Sequence, residues 1–441
     1  MNPITYDPTS PESILEFAKG LTGKTLAEAV DMSGVQENMK HKGKLGTMVE
    51  QYYFGYDPNS EQGPDFAEAG VELKTTGVKK KSDGSYMAKE RLSLTMIDYM
   101  KLAEEDWSNS SLMFKSRLML LLFYLYEKNI PKVDLRFILN PLLFTFPEED
   151  LIIIKRDWEM IQDKVKAGKA HELSEGDTFY LGACRKGKGG PSEKLREQPF
   201  PGEPAKARAF SLKPNYMTRI INGHAAEAGA LDSALVIDEG IEAATKKKFE
   251  PYLGMSVEDI ADMLGFYKNG KNDKGYYRNL TMRILGGAKL AAPELDKAGI
   301  ELKTIRVDIN WVPKESMSFP GFKYLDIIEE EWEESVFFSK IEQKFLFVIY
   351  RYDADDTLRF EGVKYWNMPY EDRKEAQKVW EETKRRVMID ARKLPGSKES
   401  PVAHVRPKGK NKRDVLITPQ GTMLPKQCFW LNKGYIANQL V

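Results

Sequence analysis

A short string in the first quarter of the chain combines the residue types that hydrolyse phosphodiester bonds. Asp65 is followed by six residues and then by Glu72, Leu73 and Lys74. If residues 71–75 form a strand, Glu72 and Lys74 point to the same face, because side chains in a strand alternate with a period of two. Mg²⁺ prefers carboxylate oxygens, so Asp65 and Glu72 are predicted to hold the ion. Lys74 then orients or deprotonates the attacking water, or stabilises the transition state.

Chance is the simplest alternative explanation of this string. Charged residues make up 30% of the chain, and a Glu/Lys pair on a solvated strand edge is common in such a sequence. The context favours a site. Glu50 lies in an earlier segment with a helical pattern, residues 46–54, and adds a further carboxylate. The string also recurs later in the chain.

The sequence contains two related halves. The matched segments, which follow the same order in each half, are 21–26 with 253–257, 64–75 with 293–304, 104–107 with 329–332, 210–212 with 429–431, and Tyr216 with Tyr435. Such ordered repetition indicates a gene duplication. We predict one domain at residues 1–222 and a second at 248–441, joined by a linker at 223–247.

The second half keeps part of the acidic constellation. Glu301 and Lys303 are retained, whereas Glu294 stands where the first half has an aspartate, and Thr281 replaces the acid of the preceding helix. The longer glutamate displaces a metal ion whose octahedral geometry is strict. We therefore expect an inactive or much impaired second centre that serves DNA binding or allosteric control.

The elements that must position these residues follow from hydrophobic periodicity. Helical patterns cover residues 11–18, 46–54 and 157–167, and strand patterns cover 70–78, 91–95 and 118–126. Each half is thus expected to be a mixed α/β domain in which helices flank a central mixed β-sheet.

Two basic, glycine-containing loops fall at equivalent positions in the halves, at residues 184–190 and 405–413. Glycines allow a loop to enter a groove of DNA closely, and cations favour contact with phosphates. A solvated, charge-rich loop is the alternative. The basic residues predicted to contact DNA are Arg185, Lys186 and Lys188 in the first loop and Arg406, Lys408 and Lys410 in the second.

Composition narrows the function classes. The 66 Lys and Arg residues balance the 66 Asp and Glu residues, so net charge does not indicate a nucleic-acid partner, and local patches must do so. Two distant cysteines and four scattered histidines do not fit a zinc site or a Ser-His-Asp hydrolase. The chain has neither an apolar run long enough for a membrane span nor a signal-peptide pattern at its start. We expect a soluble, cytoplasmic protein.

Residues 46–50 and 65–75 together resemble the active-site signature of the MutH family of endonucleases, and residues 140–143 and 157–159 resemble later elements of that family. In length and duplication the chain is similar to the double-unit MutH-like restriction enzymes that cut double-stranded DNA at GATC. The resemblance implies two tandem domains of the restriction-endonuclease fold and a Mg²⁺ cofactor.

The resemblance also implies roles for individual residues. Asp65 and Glu72 are implied as metal ligands and Lys74 as the catalytic lysine. Glu50 is implied as an additional acid. Lys115 is implied as an active-site base or a phosphate contact.

Further DNA contacts are implied near the end of each half. The segment 406–408 resembles the base-reading loop of the family, whereas the first loop departs from it and leaves its base-reading lysine open. An aromatic residue of the family that touches a base corresponds to Ser211 in the first half and Trp430 in the second. Lys213 is a candidate phosphate contact, with a solvated lysine as the alternative.

These observations predict a type II restriction endonuclease of the GATC-cutting MutH-like group. One active centre per chain makes one nick, so we expect two chains to meet on duplex DNA. No membrane partner and no nucleotide cofactor are expected. The alternatives are a mismatch-repair nicking enzyme of the same family and a non-catalytic DNA-binding regulator.

Overall fold

The computed structural model of the protein describes residues 6–30, 45–56, 63–187, 193–226, 240–268, 275–286, 293–409, 411 and 413–440. The chain forms two compact units. The first consists of Met1–Leu173, Thr178–Ala234 and Asp296–Gly299, and the second of Ser174–Asp177, Leu235–Leu295 and Ile300–Val441.

Helices of the first half surround its strands. They are α1 (Pro11–Ala18), α2 (Leu26–Ala29), α3 (Leu45–Met48), α4 (Tyr99–Glu104), α5 (Ser111–Ser116), α6 (Glu148–Lys166) and α7 (Pro214–Ala225). A π-helix, Val49–Phe54, continues α3. Local signals set several of the helix starts: the Ser10 side chain accepts a hydrogen bond from the Ser13 amide ahead of α1, and Thr25 and Glu28 form a capping box at α2.

The described strands of the first half form two sheets. They are β1 (Val71–Lys80), β2 (Tyr86–Ala88), β3 (Leu92–Met96), β4 (Leu118–Leu125), β5 (Leu142–Phe144), β6 (Leu181–Arg185) and β7 (Arg208–Leu212). One sheet has the order β2-β1-β4-β5 and the other β3-β7-β6. In the first sheet β1 and β4 are parallel, with Glu72 opposite Met119 and Lys74 opposite Leu121. The nearly continuous apolar sequence of β4 fits a strand that is buried on both faces.

The second half repeats this plan. Its helices are α8 (Ile241–Phe249), α9 (Val257–Leu264), α10 (Tyr276–Ile284), α11 (Pro293–Lys297), α12 (Tyr324–Ile327), α13 (Val336–Ile341), α14 (Tyr370–Asp390) and α15 (Lys433–Leu440). Its strands are β8 (Glu301–Val307), β9 (Met317–Phe322), β10 (Phe345–Tyr352), β11 (Leu358–Trp366), β12 (Ala403–Pro407), β13 (Val415–Ile417), β14 (Met423–Pro425) and β15 (Gln427–Leu431). The sheets have the orders β11-β10-β8, β12-β15-β9 and β13-β14, and β8 and β10 are parallel.

Matching local details show that the two halves share one plan. Ser110 caps α5 and Ser335 caps α13, each by accepting a hydrogen bond from the amide three residues later. Gly23 and Gly254 have φ angles of 79° and 77°, a left-handed conformation that glycine adopts at little cost. The repetition deduced from sequence therefore extends to capping and turn geometry.

The mixed α/β fold class is confirmed. The strands predicted at residues 70–78, 91–95 and 118–126 are present as β1, β3 and β4. The start of the helix predicted at 157–167 was wrong, because α6 begins at Glu148. Pro147 and three acidic residues in the first turn favour a helix N-terminus there, ahead of the apolar pattern. In the part of the chain that the structure describes, no helix combines the length and apolar character needed to cross a membrane.

Candidate functional site

Asp65, Glu72 and Lys74 lie together, joined by hydrogen bonds. Lys74 Nζ donates to Glu72 Oε1 at 2.6 Å. The amide of Asp65 donates to Glu72 Oε2 at 3.2 Å, and Asp65 Oδ2 accepts from the Leu73 amide at 2.8 Å. The predicted alternation of β1 thus places Glu72 and Lys74 side by side, with Asp65 at the entry of the strand.

A tight turn brings Asp65 to the start of β1. Phe66 and Val71 exchange backbone hydrogen bonds of 2.9 and 3.2 Å, which closes the turn. Gly70 within it has a φ of 66°, a conformation that favours glycine. Asp65 directly precedes this turn, so the turn holds it next to β1, the strand that carries Glu72 and Lys74.

Lys115 reaches the same carboxylate from another element. It lies in α5, directly before β4, and its Nζ is 3.6 Å from Glu72 Oε1. The parallel pairing of β1 with β4 places the end of α5 beside the start of β1. The lysine taken from family resemblance is therefore in contact with the predicted metal ligand.

Glu50 belongs to the same electrostatic cluster. The π-helix Val49–Phe54 carries it, and such turns occur often at functional sites. Burial raises the pKa of its carboxyl group to about 7, helped by the negative charge of Asp65 and opposed by Lys74. A Cβ atom at Gly46 would lie 3.3 Å from Thr75 Oγ1, so glycine favours the close approach of α3 to β1.

The Glu72 carboxyl group is almost fully enclosed. Its side chain is 2% exposed, and burial raises its pKa, with the attraction of Lys74 and Lys115 opposing this rise and the charge of Asp65 adding to it. A buried acid held between two lysines is an arrangement that perturbs acidity at functional sites.

The donor set fits a hard divalent cation by chemistry. Asp65, Glu72 and Glu50 offer carboxylate oxygens, the ligands that Mg²⁺ prefers. Within the described ranges, however, no three His, Cys, Asp or Glu residues come close enough together to form a metal cluster. Glu72 Oε1 instead accepts the Lys74 ammonium group. The residues predicted to bind the metal ion are thus close together, and one predicted ligand, Glu72, is paired with Lys74.

Sequence reasoning missed Tyr56 at this site. Its buried hydroxyl has no hydrogen-bond partner among the described residues, and its ring packs edge-on against Phe66 at 5.1 Å. Burial raises the pKa of this hydroxyl, and the negative charges of Asp65, Glu50 and Glu72 raise it further. Tyr56 lies two residues beyond the helix that carries Glu50, and this closeness in sequence could have indicated that it belongs to the site.

The second half repeats the strand geometry with a different environment. Lys303 Nζ lies 3.0 Å from Glu301 Oε1, and Lys340 Nζ, at the position equivalent to Lys115, lies 3.7 Å from Glu301 Oε2. The Glu301 side chain is 36% exposed. Burial opposes its ionisation, but attraction to Lys303, their hydrogen bond and the charge of Lys340 prevail and lower its pKa.

The positions of the other two acids of the first centre are buried in the second half. Thr281, in the place of Glu50, is fully buried and donates a 2.8 Å hydrogen bond to the Tyr277 carbonyl. Glu294, in the place of Asp65, is also fully buried. Of these three positions in the second half, Glu301 alone carries an accessible carboxylate.

The comparisons with known proteins find the same family in both halves of the chain. The family model described as DNA mismatch repair enzyme MutH matches residues 54–157 and 288–379, once in each half. The chain is 34% identical to the type II restriction enzyme Sau3AI of Staphylococcus aureus, over 96% of this chain and 92% of that enzyme. The chain belongs to the family of MutH-like type II restriction endonucleases.

Single-unit relatives match about half of the chain. The DNA mismatch repair protein MutH of Shigella boydii is 27% identical, and that of Escherichia coli is 26% identical. Each alignment covers 50% of this chain and 96% of the relative. The family unit is therefore present twice here, as the internal repetition predicted.

The basic loops of this MutH-like chain also correspond in structure. Lys186 Nζ donates to Ser93 Oγ, and Lys408 Nζ donates to Ser318 Oγ at 2.7 Å. Ser93 and Ser318 lie on β3 and β9, each of which pairs with the last strand of its half. The correspondence matches Lys186 to Lys408, a choice that the sequence left open. Arg185 forms an ion pair of 3.2 Å with Glu193 instead of extending freely.

The second loop carries a stack of cations on an aromatic ring. The Arg406 guanidinium lies 4.0 Å from the centre of the Trp430 ring, and Lys408 Nζ lies 5.7 Å from it. Trp430 Nε1 donates to the Arg406 carbonyl at 3.4 Å. Arg406 and Lys408 are exposed and Trp430 is half-buried. All three predicted residues are thus brought to one accessible surface.

Two residues predicted to contact DNA are buried in the structure. Ser211 is fully buried in β7, near the Gly182 carbonyl at 3.5 Å. Lys213 is 7% exposed, and its Nζ donates to the Thr178 carbonyl at 2.5 Å. Both side chains therefore face the protein interior. Lys188 and Lys410, also predicted to contact DNA, lie outside the described residues.

Proposed function

We propose that the protein is a type II restriction endonuclease that hydrolyses phosphodiester bonds of double-stranded DNA at GATC with Mg²⁺. The observation that carries the proposal is the convergence of Asp65, Glu72, Lys74 and Lys115 in a chain that is 34% identical to a type II restriction enzyme. Restriction endonucleases generally use a divalent metal ion.

Asp65 and Glu72 would hold the Mg²⁺ ion, and Glu50 is the nearby additional acid. When bound, the ion supplies a water of lowered pKa and offsets phosphate charge. The carboxylate oxygens of these residues are the donors that suit this hard cation.

The lysines act on the phosphate and the water. The Lys74 and Lys115 side chains are 17% and 19% exposed, and both ammonium groups are within 4 Å of Glu72 Oε1. A DNA phosphate that enters the site therefore meets two largely enclosed cations, whose attraction is stronger than it would be in water. Lys74, beside the strand acid, orients the attacking water or stabilises the charge that develops on the phosphate.

We assign the two halves different tasks. Residues 1–222 are the catalytic domain, 223–247 the linker, and 248–441 a second domain for DNA binding or allosteric control. One centre per chain makes one nick, so two chains meet on the duplex or one chain acts twice. A cytoplasmic location is proposed as well, in keeping with the free, buried cysteines Cys184 and Cys428.

Digestion of supercoiled plasmid tests this function. The protein should linearise unmethylated plasmid in Mg²⁺, with product ends that map to GATC. Asp65→Ala should bind the same DNA and leave it uncut. Asp83→Ala is the matched control, since Asp83 is an exposed acid in the turn at the other end of β1 and should cut normally. Unimpaired cleavage by Asp65→Ala would refute the site, and an uncut plasmid with the unaltered protein would refute the function.

A mismatch-repair nicking activity is the second candidate, favoured by the match to MutH proteins in each half. Those relatives cover 50% of this chain, which argues for the double-unit enzyme. The plasmid assay separates the two activities, because a nicking enzyme leaves open circles and a restriction enzyme produces linear DNA.

A further inference from the structure

The two centres differ in their balance of charge. In the first, the carboxyl groups of Glu50, Asp65 and Glu72 face Lys74 and Lys115. Three acids face two lysines there, so a divalent cation is needed to balance the negative charge that a phosphate adds. This balance is the expected one for a metal-dependent centre.

In the second centre two lysines contact one partly exposed acid. Lys303 and Lys340 both contact Glu301, at 3.0 and 3.7 Å, and the buried hydroxyl of Thr281 replaces an acid. The centre is also more open. The Lys303 and Lys340 side chains are 28% and 34% exposed, so their ammonium groups are within reach of a ligand from solvent.

Arg278 adds a third positive charge. It lies three residues before Thr281 on α10, and side chains at this spacing share one face of a helix. Arg278 is exposed, and its charge contributes to the lowered pKa of Glu301, although burial, which opposes that shift, is the largest single influence. The helix before the strand thus supplies an acid, Glu50, in the first half, and the equivalent helix α10 supplies a cation, Arg278, in the second.

More cations flank α10. The Arg306 guanidinium lies 5.0 Å from the centre of the Tyr277 ring, and Lys268 Nζ lies 5.3 Å from it. Arg306 lies three residues after Lys303 on β8, so it points to the opposite face of the strand, and it pairs with Glu315 at 2.9 Å. Lys303, Lys340 and Arg278 thus carry the positive charge near Glu301, an arrangement suited to a polyanion and poorly suited to a second cation.

We propose that Lys303, Lys340 and Arg278 form a site that binds a backbone phosphate of duplex DNA without a divalent metal. This inference rests on the proposed DNA-binding role of the second half. In the absence of DNA, Glu301 occupies the two lysines. An arriving phosphate takes over these contacts, while counterions released from the DNA favour association.

Equilibrium binding in EDTA tests the proposal. The full-length protein is titrated against a short fluorescent GATC duplex at several salt concentrations. Lys303→Ala combined with Lys340→Ala should weaken binding about tenfold and lower the salt slope by about 1, the value for one lost phosphate contact. Unchanged affinity and slope would overturn the proposal. Lys378→Ala, which removes an exposed lysine paired with Glu375 on α14, is the matched control and should bind normally.

Glu301→Gln gives a test of opposite sign and keeps the shape of a partly exposed side chain. Removal of the competing carboxylate should tighten binding in EDTA about threefold, since both lysines become available to phosphate. A metal site would behave differently: Glu301→Gln would weaken binding in Ca²⁺ and leave binding in EDTA unchanged. Unchanged or weaker binding in EDTA overturns the proposal even if the double lysine variant fails to fold.

Plasmid cleavage in Mg²⁺ separates this inference from the proposed function. If the unaltered protein cuts at GATC but the variants bind in EDTA as it does, the phosphate site alone is refuted. If the unaltered protein neither cuts nor binds the duplex, the proposed function fails.

Discussion

Glu72 and Glu301 lie near the start of equivalent strands in the two halves, and each is followed two residues later by a lysine that contacts it. Their surroundings nevertheless change their acidity in opposite directions. Glu72 is 2% exposed and has a raised pKa, chiefly from burial, whereas Glu301 is 36% exposed and its lysine contacts outweigh burial to lower its pKa. The Glu-x-Lys motif is therefore not a sufficient description of either centre.

The helix before each strand accounts for much of the difference. In the first half a π-helix presents Glu50 to the acids of β1, and in the second a regular α-helix buries Thr281 and exposes Arg278. A few substitutions on that helix convert an acidic cluster into a basic one. Duplication thus preserved the strand pair while the neighbouring helix acquired a different charge.

The largest expected difference between the halves is in cleavage. Lys74→Ala should lower the single-turnover rate of plasmid cleavage about 10³-fold, because a charge next to the reacting phosphate is lost. Lys303→Ala should slow cleavage by less than about tenfold, because the substitution affects DNA binding and not the cutting centre. Equal losses would mean that both centres cut DNA and that the second centre is not degenerate.

DNA affinity gives the next largest effect. Trp430→Ala should weaken binding of the GATC duplex about tenfold, because it removes an accessible aromatic surface on which Arg406 stacks. Ser211→Ala should change affinity by less than about twofold, as its side chain is fully buried. Fluorescence anisotropy measures both, and a large effect of Ser211→Ala would restore it as a contact residue.

A smaller effect is expected on stability in the first centre. The pKa of Glu50 is raised to about 7, so its destabilising contribution is absent below the unfolded-state pKa and develops as pH rises through 7. Glu50→Gln should therefore stabilise the metal-free protein by about 1 kcal/mol at pH 8, a value reduced for solvent screening, and by little at pH 4. Denaturant unfolding in EDTA at both pH values measures this, and a loss of stability at pH 8 would contradict it.

The smallest effect has the opposite sign. The lowered pKa of Glu301 gives stability that is present above the unfolded-state pKa and lost as pH falls through the folded-state value. Glu301→Gln should therefore destabilise the protein at pH 8 by about 0.5 kcal/mol, because the pair is partly solvated. The same unfolding experiment applies. If both glutamine variants shift stability in one direction, the two centres are electrostatically alike.

The residues that sequence reasoning located well are those whose spacing determines their geometry. The period of two along β1 placed Glu72 beside Lys74, and the short segment before it placed Asp65 at the strand entry. Internal repetition pointed to Glu301 and Lys303 in the same way. These residues are close together in the sequence, so their relative positions can be predicted from a single short segment.

Tertiary context explains what was missed. Alternation along β7 suggests that Ser211 faces away from the apolar residues beside it, yet all five residues of the strand are buried because β7 is central in its sheet, between β3 and β6. Lys213 lies just beyond that strand and is drawn inward by the Thr178 carbonyl. The position of Arg278 at the second centre depends on how α10 packs against β8. This packing cannot be predicted from a local sequence pattern.

The parallel pairing of β1 and β4 ties activity to the completion of folding. Glu72 and Lys115 come from distant parts of the chain and meet only when the crossover between these strands has closed. Long-range parallel pairing of this kind forms slowly. A chain still emerging from the ribosome therefore contains Asp65 and Glu72 before Lys115 can join them. The host genome is exposed to the proposed cutting activity only after the domain has folded.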